Sequence, residues 1–389
     1  MSTVSSITFV KQEIDFLTRE GTLYRRLDEQ GTLECYACGH RCVIKSGRRG
    51  ICKVRFNEQG KLYVPWGYVG ALQCDPTEKK PFFHIYPGSD TLTFGMLGCD
   101  LHCAYCQNWE TSQVLRDPHA PGGPTPVSPQ QLIAYAKQQG ARLVGSSYNE
   151  PLITSEWAVE VFQQAARAGL QCVYISNGNL TPEVLEFIRP HLIGYKIDLK
   201  AMRDKPYRQL GAVLNNILDG IKRVHDAGLW LEIVTLVVPG FNDSDAELRD
   251  AAAYIASVSK DIPWHVTAFH QDYKMTDPDN TDVHTLLPAV EIGKAAGLHF
   301  VYAGNMPGRV GPHEHTWCPS CHQLLIGSFG YVIHEYNLTD DGSCVHCGEP
   351  IPGIWGNRAD VRLGGMGDLF WRMPRPVRRL RSDVYEEKT

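Results

Sequence analysis

Residues 91–109 read TLTFGMLGCDLHCAYCQNW, an apolar run followed by three closely spaced cysteines. Cys99, Cys103 and Cys106 have the spacing CxxxCxxC. Three thiolates can bind three irons of a four-iron cluster, so one iron stays open to a small molecule. In an electron-transfer site, by contrast, protein groups hold every iron. The spacing therefore predicts a catalytic [4Fe–4S] site.

Three neighbouring cysteines also occur in disulfides and in zinc sites. A disulfide would leave one cysteine unpaired and would need an oxidising compartment. Zinc would need four protein ligands, or three and a water, and it usually takes CxxC pairs. His102 is a possible fourth ligand, but it lies between the first two cysteines with little room to turn inward. The flanking residues favour the iron–sulfur cluster.

The composition is that of a globular protein with a full core and small additional modules: 389 residues, 43% hydrophobic and 21% charged. The net charge of −5 gives no sign of a nucleic-acid partner. The N-terminus lacks the pattern of a signal peptide, and no apolar run approaches the roughly twenty residues that span a bilayer. With thirteen cysteines, this predicts a cytoplasmic, metal-binding protein without a membrane partner.

Short apolar runs alternate with helix-length segments downstream of residue 91. The candidate strands are 91–97, 143–148, 172–176, 193–199, 231–238 and 265–269, with 300–303 as a seventh candidate; helical patterns include 128–139, 154–168 and 245–257. Such alternation predicts an α/β fold of parallel strands with right-handed crossovers, and six units make a partial (βα)6 barrel of the TIM type. The cysteines would then lie at the C-terminal end of the first strand, where barrel active sites are built.

The motif CxxxCxxC with an aromatic residue, Tyr105, before the last cysteine resembles the radical S-adenosylmethionine (SAM) signature. The longer run 98–109 is similar to the relatives of pyruvate formate-lyase activating enzyme and, more closely, to the AmmeMemoRadiSam system radical SAM enzymes. This resemblance implies a [4Fe–4S] cluster, SAM, and a reductant such as flavodoxin or ferredoxin. In that superfamily the reduced cluster cleaves SAM to methionine and a 5′-deoxyadenosyl radical, which abstracts hydrogen from the substrate.

The same resemblance assigns the cofactor-binding residues. Glu150, with Asn149, would contact the SAM ammonium, and His265 the adenosyl half. The other candidates near the SAM pocket are Tyr105, Ser176, Asn177, Asp198 and Lys200. Alternation along a strand puts Asp198 and Lys200 on the same face. Structural alternatives exist: a helix cap at Glu150, a strand-end turn at Asn177, an ion pair at Asp198 and a core histidine at His265.

Two further cysteine sets flank the predicted barrel. Cys318, Cys321, Cys344 and Cys347 form CxxC-x22-CxxC, which predicts a tetrahedral site for zinc, as in a zinc ribbon, or for a single iron, as in rubredoxin. Cys35, Cys38, Cys42 and Cys52 are spaced less regularly. They could hold zinc or a second [4Fe–4S] cluster that passes electrons, with His40 as a rival ligand. We favour a structural tetrahedral site there, because the flanking hairpins form too small a core to fold without one.

These patterns predict four regions. They are an N-terminal β-hairpin region with a metal module (1–90), the barrel (91–305), a C-terminal cysteine module (306–356) and a tail (357–389). The predicted hairpins pair 22–27 with 32–35 and 54–56 with 61–64. The basic run 372–381 is typical of a solvated tail, and we do not expect it to bind nucleic acid. Cys74 and Cys172 lie outside the three sets and are predicted to be buried small apolar residues.

The sequence thus supports a radical SAM enzyme that takes hydrogen from a protein or small-molecule substrate. A narrower hypothesis is an activase that installs a glycyl radical in a partner enzyme. A hypothesis from a different class is a non-catalytic metal-binding interaction protein built on three cysteine modules.

Overall fold

The computed structural model describes residues 6–365. The part before the barrel consists of α1 (Ser6–Phe16), β1 (Thr18–Glu20), β2 (Tyr24–Arg26), β3 (Leu33–Cys35), β4 (Val43–Ile44), β5 (Phe56–Glu58), β6 (Lys61–Pro65), β7 (Tyr68–Val69) and β8 (Ala71–Pro76), followed by a 3-10 turn at Thr77–Lys79. Strands β2, β3 and β4 form one small sheet, and β1, β6 and β5 form another. The N-terminal region therefore contains two three-stranded sheets and one helix. The sequence predicted two hairpins there, but not the helix or the third strand of each sheet.

Both predicted hairpins are present. Strands β2 and β3 pair with Tyr24 opposite Cys35, and β5 and β6 pair with Phe56 opposite Tyr63. The second turn is tighter than predicted, because Gln59 and Gly60 take positive φ values of 52° and 80°. Two consecutive left-handed residues match the twist of a two-residue hairpin.

The barrel region continues with β9 (Asp90–Gly95), α2 (Trp109–Ser112), β10 (Thr125–Pro126), α3 (Pro129–Gln138), β11 (Leu143–Ser146), a 3-10 turn (Pro151–Thr154), α4 (Ser155–Arg167), β12 (Gln171–Ser176), α5 (Pro182–Ile188), a 3-10 turn (Arg189–His191), β13 (Gly194–Asp198), α6 (Asp204–Leu210), α7 (Leu214–Asp226), β14 (Trp230–Val237), α8 (Asp245–Val258), β15 (Trp264–Ala268), α9 (Val283–Ala295) and β16 (Val301–Gly304). Several helices begin at side-chain caps. Ser128 and Gln131 form a capping box at α3, and Thr181, Ser244 and Asp282 cap α5, α8 and α9.

The main sheet has the order β16-β15-β14-β13-β12-β11-β9-β8. The seven strands from β9 to β16, excluding β10, are parallel neighbours joined by helical crossovers, so the predicted α/β partial barrel is confirmed. The eighth strand, β8, runs antiparallel to β9. The prediction placed residues 71–76 in the N-terminal region, but they extend the barrel sheet.

Most of the strands and helices meet in one large apolar core, and smaller apolar clusters lie beside it. Phe94 of β9 packs edge-on against Trp157 of α4, with 5.4 Å between ring centroids. Both side chains are fully buried, as is Phe162 one turn further along α4. Burial of each such ring contributes about 1.5–3 kcal/mol relative to exposure. Cys172 is buried as predicted, whereas Cys74 is only half-buried.

The C-terminal module contains a 3-10 turn (Gly311–Glu314), β17 (Thr316–Trp317), β18 (Leu324–Phe329), β19 (Val332–Tyr336) and a 3-10 turn (Arg358–Asp360). Its small core packs against Phe300 and Tyr302 at the last barrel strand. The basic run 372–381 and the rest of the tail beyond 365 lie outside the described residues. Within residues 6–365, no helix combines the length and the apolar character needed to cross a membrane.

Candidate active site

A cavity of about 660 Å³ opens at the C-terminal ends of the parallel strands. Ten of the eleven predicted catalytic and cofactor-binding residues line it: Cys99, Cys103, Tyr105, Cys106, Asn149, Glu150, Ser176, Asn177, Asp198 and Lys200. They come from the last residues of β12 and β13 and from the loops that follow β9, β11, β12 and β13. The parallel order of these strands brings residues far apart in sequence to one rim, as the barrel architecture requires.

The cysteine loop after β9 is held by backbone hydrogen bonds. The Cys106 amide donates to the Cys103 carbonyl at 3.2 Å, and the Gly98 amide donates to the Thr111 carbonyl at 3.0 Å. His102, between the cysteines, is exposed and lies against Gly211, where a Cβ would be 2.6 Å from its ring. The loop therefore turns its cysteines toward the cavity and His102 away from it.

The environment of the three cysteines is better suited to iron ligands than to free thiols. Burial raises the pKa of Cys99 and Cys106, and it raises that of Cys103 to about 12. Thiols with such pKa values stay protonated near neutral pH unless a metal displaces the proton. Three soft sulfur donors at one rim of a cavity fit a cluster with one open iron. Cys106 Sγ also lies 3.2 Å from the Ser112 hydroxyl.

Glu150 is a buried carboxylate on the cavity wall. Its side chain accepts hydrogen bonds from Ser176 Oγ at 2.7 Å, the Asn177 amide at 2.8 Å and the Leu152 amide at 3.1 Å. Burial, and then the nearby Asp100, raise the pKa of Glu150 to about 8 in spite of these donors. Within the described chain no cation forms a salt bridge with it, so a cationic or amino-bearing ligand would complete its partners.

A charged row follows the face of β13 toward the cavity. Asp198 contacts Lys196 on the same strand, and Lys200 Nζ lies 3.4 Å from Asp198 Oδ2. Burial opposes the charge of Asp198, but the two lysines outweigh burial and lower its pKa. Burial likewise opposes the charge of Lys200, yet its carboxylate neighbour Asp198 outweighs burial and raises the pKa of Lys200 well above the usual value. Lys200 therefore stays protonated beside the cysteine loop.

His265 does not line the cavity, contrary to the prediction. Its Nε2 lies 2.6 Å from Glu232 Oε2, and its ring stacks on Tyr302 with 5.0 Å between centroids. Glu232 also accepts hydrogen bonds from the amides of Phe83 and His84. Since His265 lies near the start of β15, it points into the barrel below the cavity. The residue on the same face that reaches the cavity is Thr267, two positions later.

Several lining residues were not predicted. Lys196 alternates with Asp198 and Lys200 along β13, and this period of two could have identified it. Lys79 and Lys80 share Asp75 Oδ2, at 3.0 Å each, and Lys80 Nζ lies 3.1 Å from the Tyr148 hydroxyl. Residues 329–332, the turn between β18 and β19, also line the cavity. Nothing in their sequence signals this role, because it depends on how the C-terminal module docks.

The C-terminal cysteines converge as predicted. The sulfur atoms of Cys318, Cys321, Cys344 and Cys347 all lie within 4.8 Å of one another, with 3.6 Å between Cys318 and Cys347 and 3.8 Å between Cys321 and Cys344. A tetrahedral site with metal–sulfur bonds of about 2.3 Å separates its sulfurs by about 3.8 Å. The set therefore fits one tetrahedral ion.

Replacement of Cys321 by serine should remove one metal equivalent per chain, because three thiolates close the site poorly. The small core of this module depends on the bound metal ion. Amide hydrogen exchange should therefore become faster in residues 324–336 and stay the same in β9–β13. Elemental analysis and exchange mass spectrometry measure both effects. Ser320→Ala, one residue away, is the matched control. An unaltered metal content in Cys321→Ser would contradict the assignment.

The three cysteines follow the first parallel strand of a partial barrel, and charged residues follow the next strands. Residues 94–252 match the Radical SAM superfamily. An uncharacterized protein of Methanocaldococcus jannaschii, MJ0808, is 33% identical over 338 residues, which cover 86% of this chain and 98% of the relative. The chain belongs to the radical SAM superfamily.

More distant relatives have activating-enzyme names. The pyruvate formate-lyase-activating enzyme of Clostridium pasteurianum is 22% identical over 215 residues, which cover 50% of this chain and 86% of that protein. Among solved structures, a domain of a pyruvate-formate lyase-activating enzyme from Bacteroides vulgatus matches 42% of this chain and 98% of its own, with 18% identity and a TM-score of 0.38. At that score the structural likeness adds nothing to the assignment, which rests on the sequence matches.

Proposed function

We propose that this protein binds a [4Fe–4S] cluster through Cys99, Cys103 and Cys106, binds SAM in the adjoining cavity, and abstracts hydrogen from a substrate bound in the rest of that cavity. The cluster and SAM together supply one-electron cleavage of SAM to methionine and a 5′-deoxyadenosyl radical. The main support is the convergence of three cysteine thiols, the Glu150 carboxylate and the Lys200 ammonium on one cavity. A non-catalytic metal-binding protein would not need buried charges of both signs there, since such charges are costly unless they meet a ligand.

The polar residues have complementary parts in this proposal. Glu150, oriented by Ser176 and Asn177, accepts hydrogen bonds from the amino group of SAM. Lys200, kept protonated by Asp198, pairs with the SAM carboxylate, and Asp198 remains available to the ribose hydroxyls. Tyr105 is buried beside Phe241 and supports the cysteine loop from behind.

The direct test is SAM cleavage. Protein loaded anaerobically with iron and sulfide, then reduced by dithionite in the presence of SAM, should form 5′-deoxyadenosine and methionine in equal amounts. Chromatography with mass detection measures both products. A fully loaded and reduced cluster that leaves SAM intact would contradict the proposed function.

SAM binding should also release a proton from Glu150. In the free protein the raised pKa, about 8, leaves this carboxyl mostly protonated at pH 7. As an acceptor, Glu150 must be ionised. The affinity of the protein for SAM should therefore rise with pH up to about 8. On binding SAM, the wild type should release about one proton more than Glu150→Gln does. Titration calorimetry at pH 7 in buffers of different ionisation enthalpy counts the protons released.

The control for this measurement is Glu314→Gln. Glu314 also lines the cavity, but its carboxylate accepts from the Gly308 and Gly330 amides within the C-terminal module. This variant should keep the wild-type proton count. Equal proton release by the wild type and Glu150→Gln would show that Glu150 does not receive the amino group.

The finer assignment within the superfamily is also a proposal. The motif run 98–109 and the flanking cysteine modules favour the AmmeMemoRadiSam branch, with flavodoxin or ferredoxin as the reductant in a cytoplasmic setting. The names of the distant relatives favour an activase for a glycyl-radical enzyme. Residues 329–332 wall part of the cavity, which favours a small molecule or a short flexible peptide as substrate. Adjacent genes for AMMECR-type and Memo-type proteins would support the first, and an adjacent glycyl-radical enzyme the second.

A further inference from the structure

The four N-terminal cysteines are gathered in one place but are not arranged for a single ion. Cys35, Cys38 and Cys52 are buried, and Cys42 is half-buried. Among residues 6–365, the C-terminal cysteines form the set of three or more ligands within 4.8 Å of one another, and the N-terminal four do not. A tetrahedral ion would need sulfurs about 3.8 Å apart. The N-terminal sulfurs are therefore spaced more widely than those of one tetrahedral ion.

A four-iron cluster accounts for the wider spacing. Each of its four thiolates binds a different iron, so they stand farther apart than thiolates on one ion. The sulfurs of Cys99, Cys103 and Cys106 are likewise not all within 4.8 Å of one another. In neither N-proximal set do all the sulfurs lie within 4.8 Å of one another, as they do in the C-terminal set.

The surroundings of the N-terminal set suit a buried anionic cluster. The Arg55 guanidinium is 1% exposed, and its Nε is buried without a hydrogen-bond partner among the described residues. The Ile51 amide points to Cys42 Sγ at 3.4 Å, as amides do toward cluster sulfurs. His40, the rival ligand, instead has its Nε2 3.2 Å from the Asp100 carbonyl oxygen. The four cysteines remain as the donor set.

The N-terminal set adjoins the catalytic cysteine loop. A Cβ at Gly98, just before Cys99, would lie 3.1 Å from the Cys52 carbonyl oxygen. Arg116 joins the two loops by donating to the Ile51 carbonyl at 2.6 Å and the Leu101 carbonyl at 3.2 Å.

We propose that Cys35, Cys38, Cys42 and Cys52 hold a second [4Fe–4S] cluster that carries electrons to the catalytic one. With all four irons bound by protein, this cluster has no open position for SAM. One electron enters it from a low-potential ferredoxin or flavodoxin, which is oxidised, and the same electron then reduces the adjacent cluster. The relay rests on the proposed SAM cleavage, whereas the identity of the metal centre does not.

The metal centre is tested without any activity measurement. The triple variant Cys99→Ala/Cys103→Ala/Cys106→Ala lacks the catalytic ligands but keeps the N-terminal set. After anaerobic reconstitution it should retain about four irons and four sulfides per chain beyond the C-terminal ion, with an electron paramagnetic resonance signal after reduction. One additional zinc in place of the four irons would overturn the proposal.

The relay is tested with Cys42→Ser, at the most accessible of the four cysteines. Iron should fall to about half of the wild-type value, and SAM cleavage driven by ferredoxin or flavodoxin should drop at least tenfold. Dithionite, a small reductant that reaches the catalytic cluster directly, should still support cleavage. Undiminished cleavage by Cys42→Ser with the protein reductant would overturn the relay. If the wild type also failed to cleave SAM with dithionite, the proposed function would be overturned instead.

Discussion

Replacement of Cys103 by alanine is expected to abolish 5′-deoxyadenosine formation. Cys103 is the middle ligand of the proposed catalytic cluster, and its buried thiol faces the cavity between Cys99 and Cys106. Two thiolates hold a four-iron cluster poorly, so both the cluster and the SAM site on its open iron should be lost. Product formation under dithionite, followed by chromatography, should fall below detection.

The matched control is Cys172→Ala. Cys172 is buried in β12, with its thiol directed at the Phe162 carbonyl of α4 and not at the cavity. This variant should keep its iron content and its cleavage rate, with only the modest loss of stability that a small core truncation brings. If Cys103→Ala formed the product at the wild-type rate, the three-cysteine site would not be the catalytic one.

Replacement of Arg55 by methionine is expected to destabilise the protein by about 3–5 kcal/mol, because it leaves a buried carboxylate without its partner. Arg55 donates to Glu156 through both terminal nitrogens at 2.7 Å, and the two side chains are 1% and 5% exposed. This pair joins the N-terminal region to α4. Burial opposes the ionised form of Glu156, but Arg55 outweighs it and lowers the pKa. Anaerobic chemical denaturation measures the loss.

Two comparisons test the cause. Arg41→Met removes a similar bridge, to Glu183 of α5, but those side chains are 38% and 41% exposed, so the loss should stay below about 1 kcal/mol. The double variant Arg55→Met/Glu156→Leu should recover much of the stability, since no unpaired charge remains. The loss in Arg55→Met should also shrink as the pH falls, because a proton can neutralise Glu156. Equal losses for Arg41→Met and Arg55→Met would argue against the desolvation explanation.

The barrel and most of the candidate site could be predicted from the sequence, because both depend on the order of residues within short segments. Strand and helix periods gave the seven parallel strands, and each lining residue of the cysteine, Glu150 and Lys200 groups follows a strand directly. The sequence did not show how far along a strand a residue must lie to reach the cavity. His265 and Thr267 share a face of β15, yet of these two only Thr267 lines the cavity. Strand β8 was missed because its antiparallel pairing with β9 is a tertiary contact, and its mixed sequence, ALQCDP, lacks the apolar run of the other sheet strands.

The N-terminal cysteines show a different limit. Their number and order indicate a metal, but whether one ion or four irons fit depends on the distances between loops. Those distances are set by contacts with distant segments, such as the Gly39 amide that donates to the Asn179 carbonyl at 2.7 Å. The spacing of cysteines along the sequence does not predict such contacts.

The turn at residues 329–332 has a consequence for how this protein can diversify. The parts proposed to generate the radical come from the barrel, while this section of the cavity wall comes from a module with its own strands and its own four cysteines. Changes in that turn alter the shape offered to a substrate without touching the cysteine loop or β13. Under the proposed function, exchange of the hairpin between homologues is a route to new substrate preference that leaves the cysteine loop and β13 unaltered.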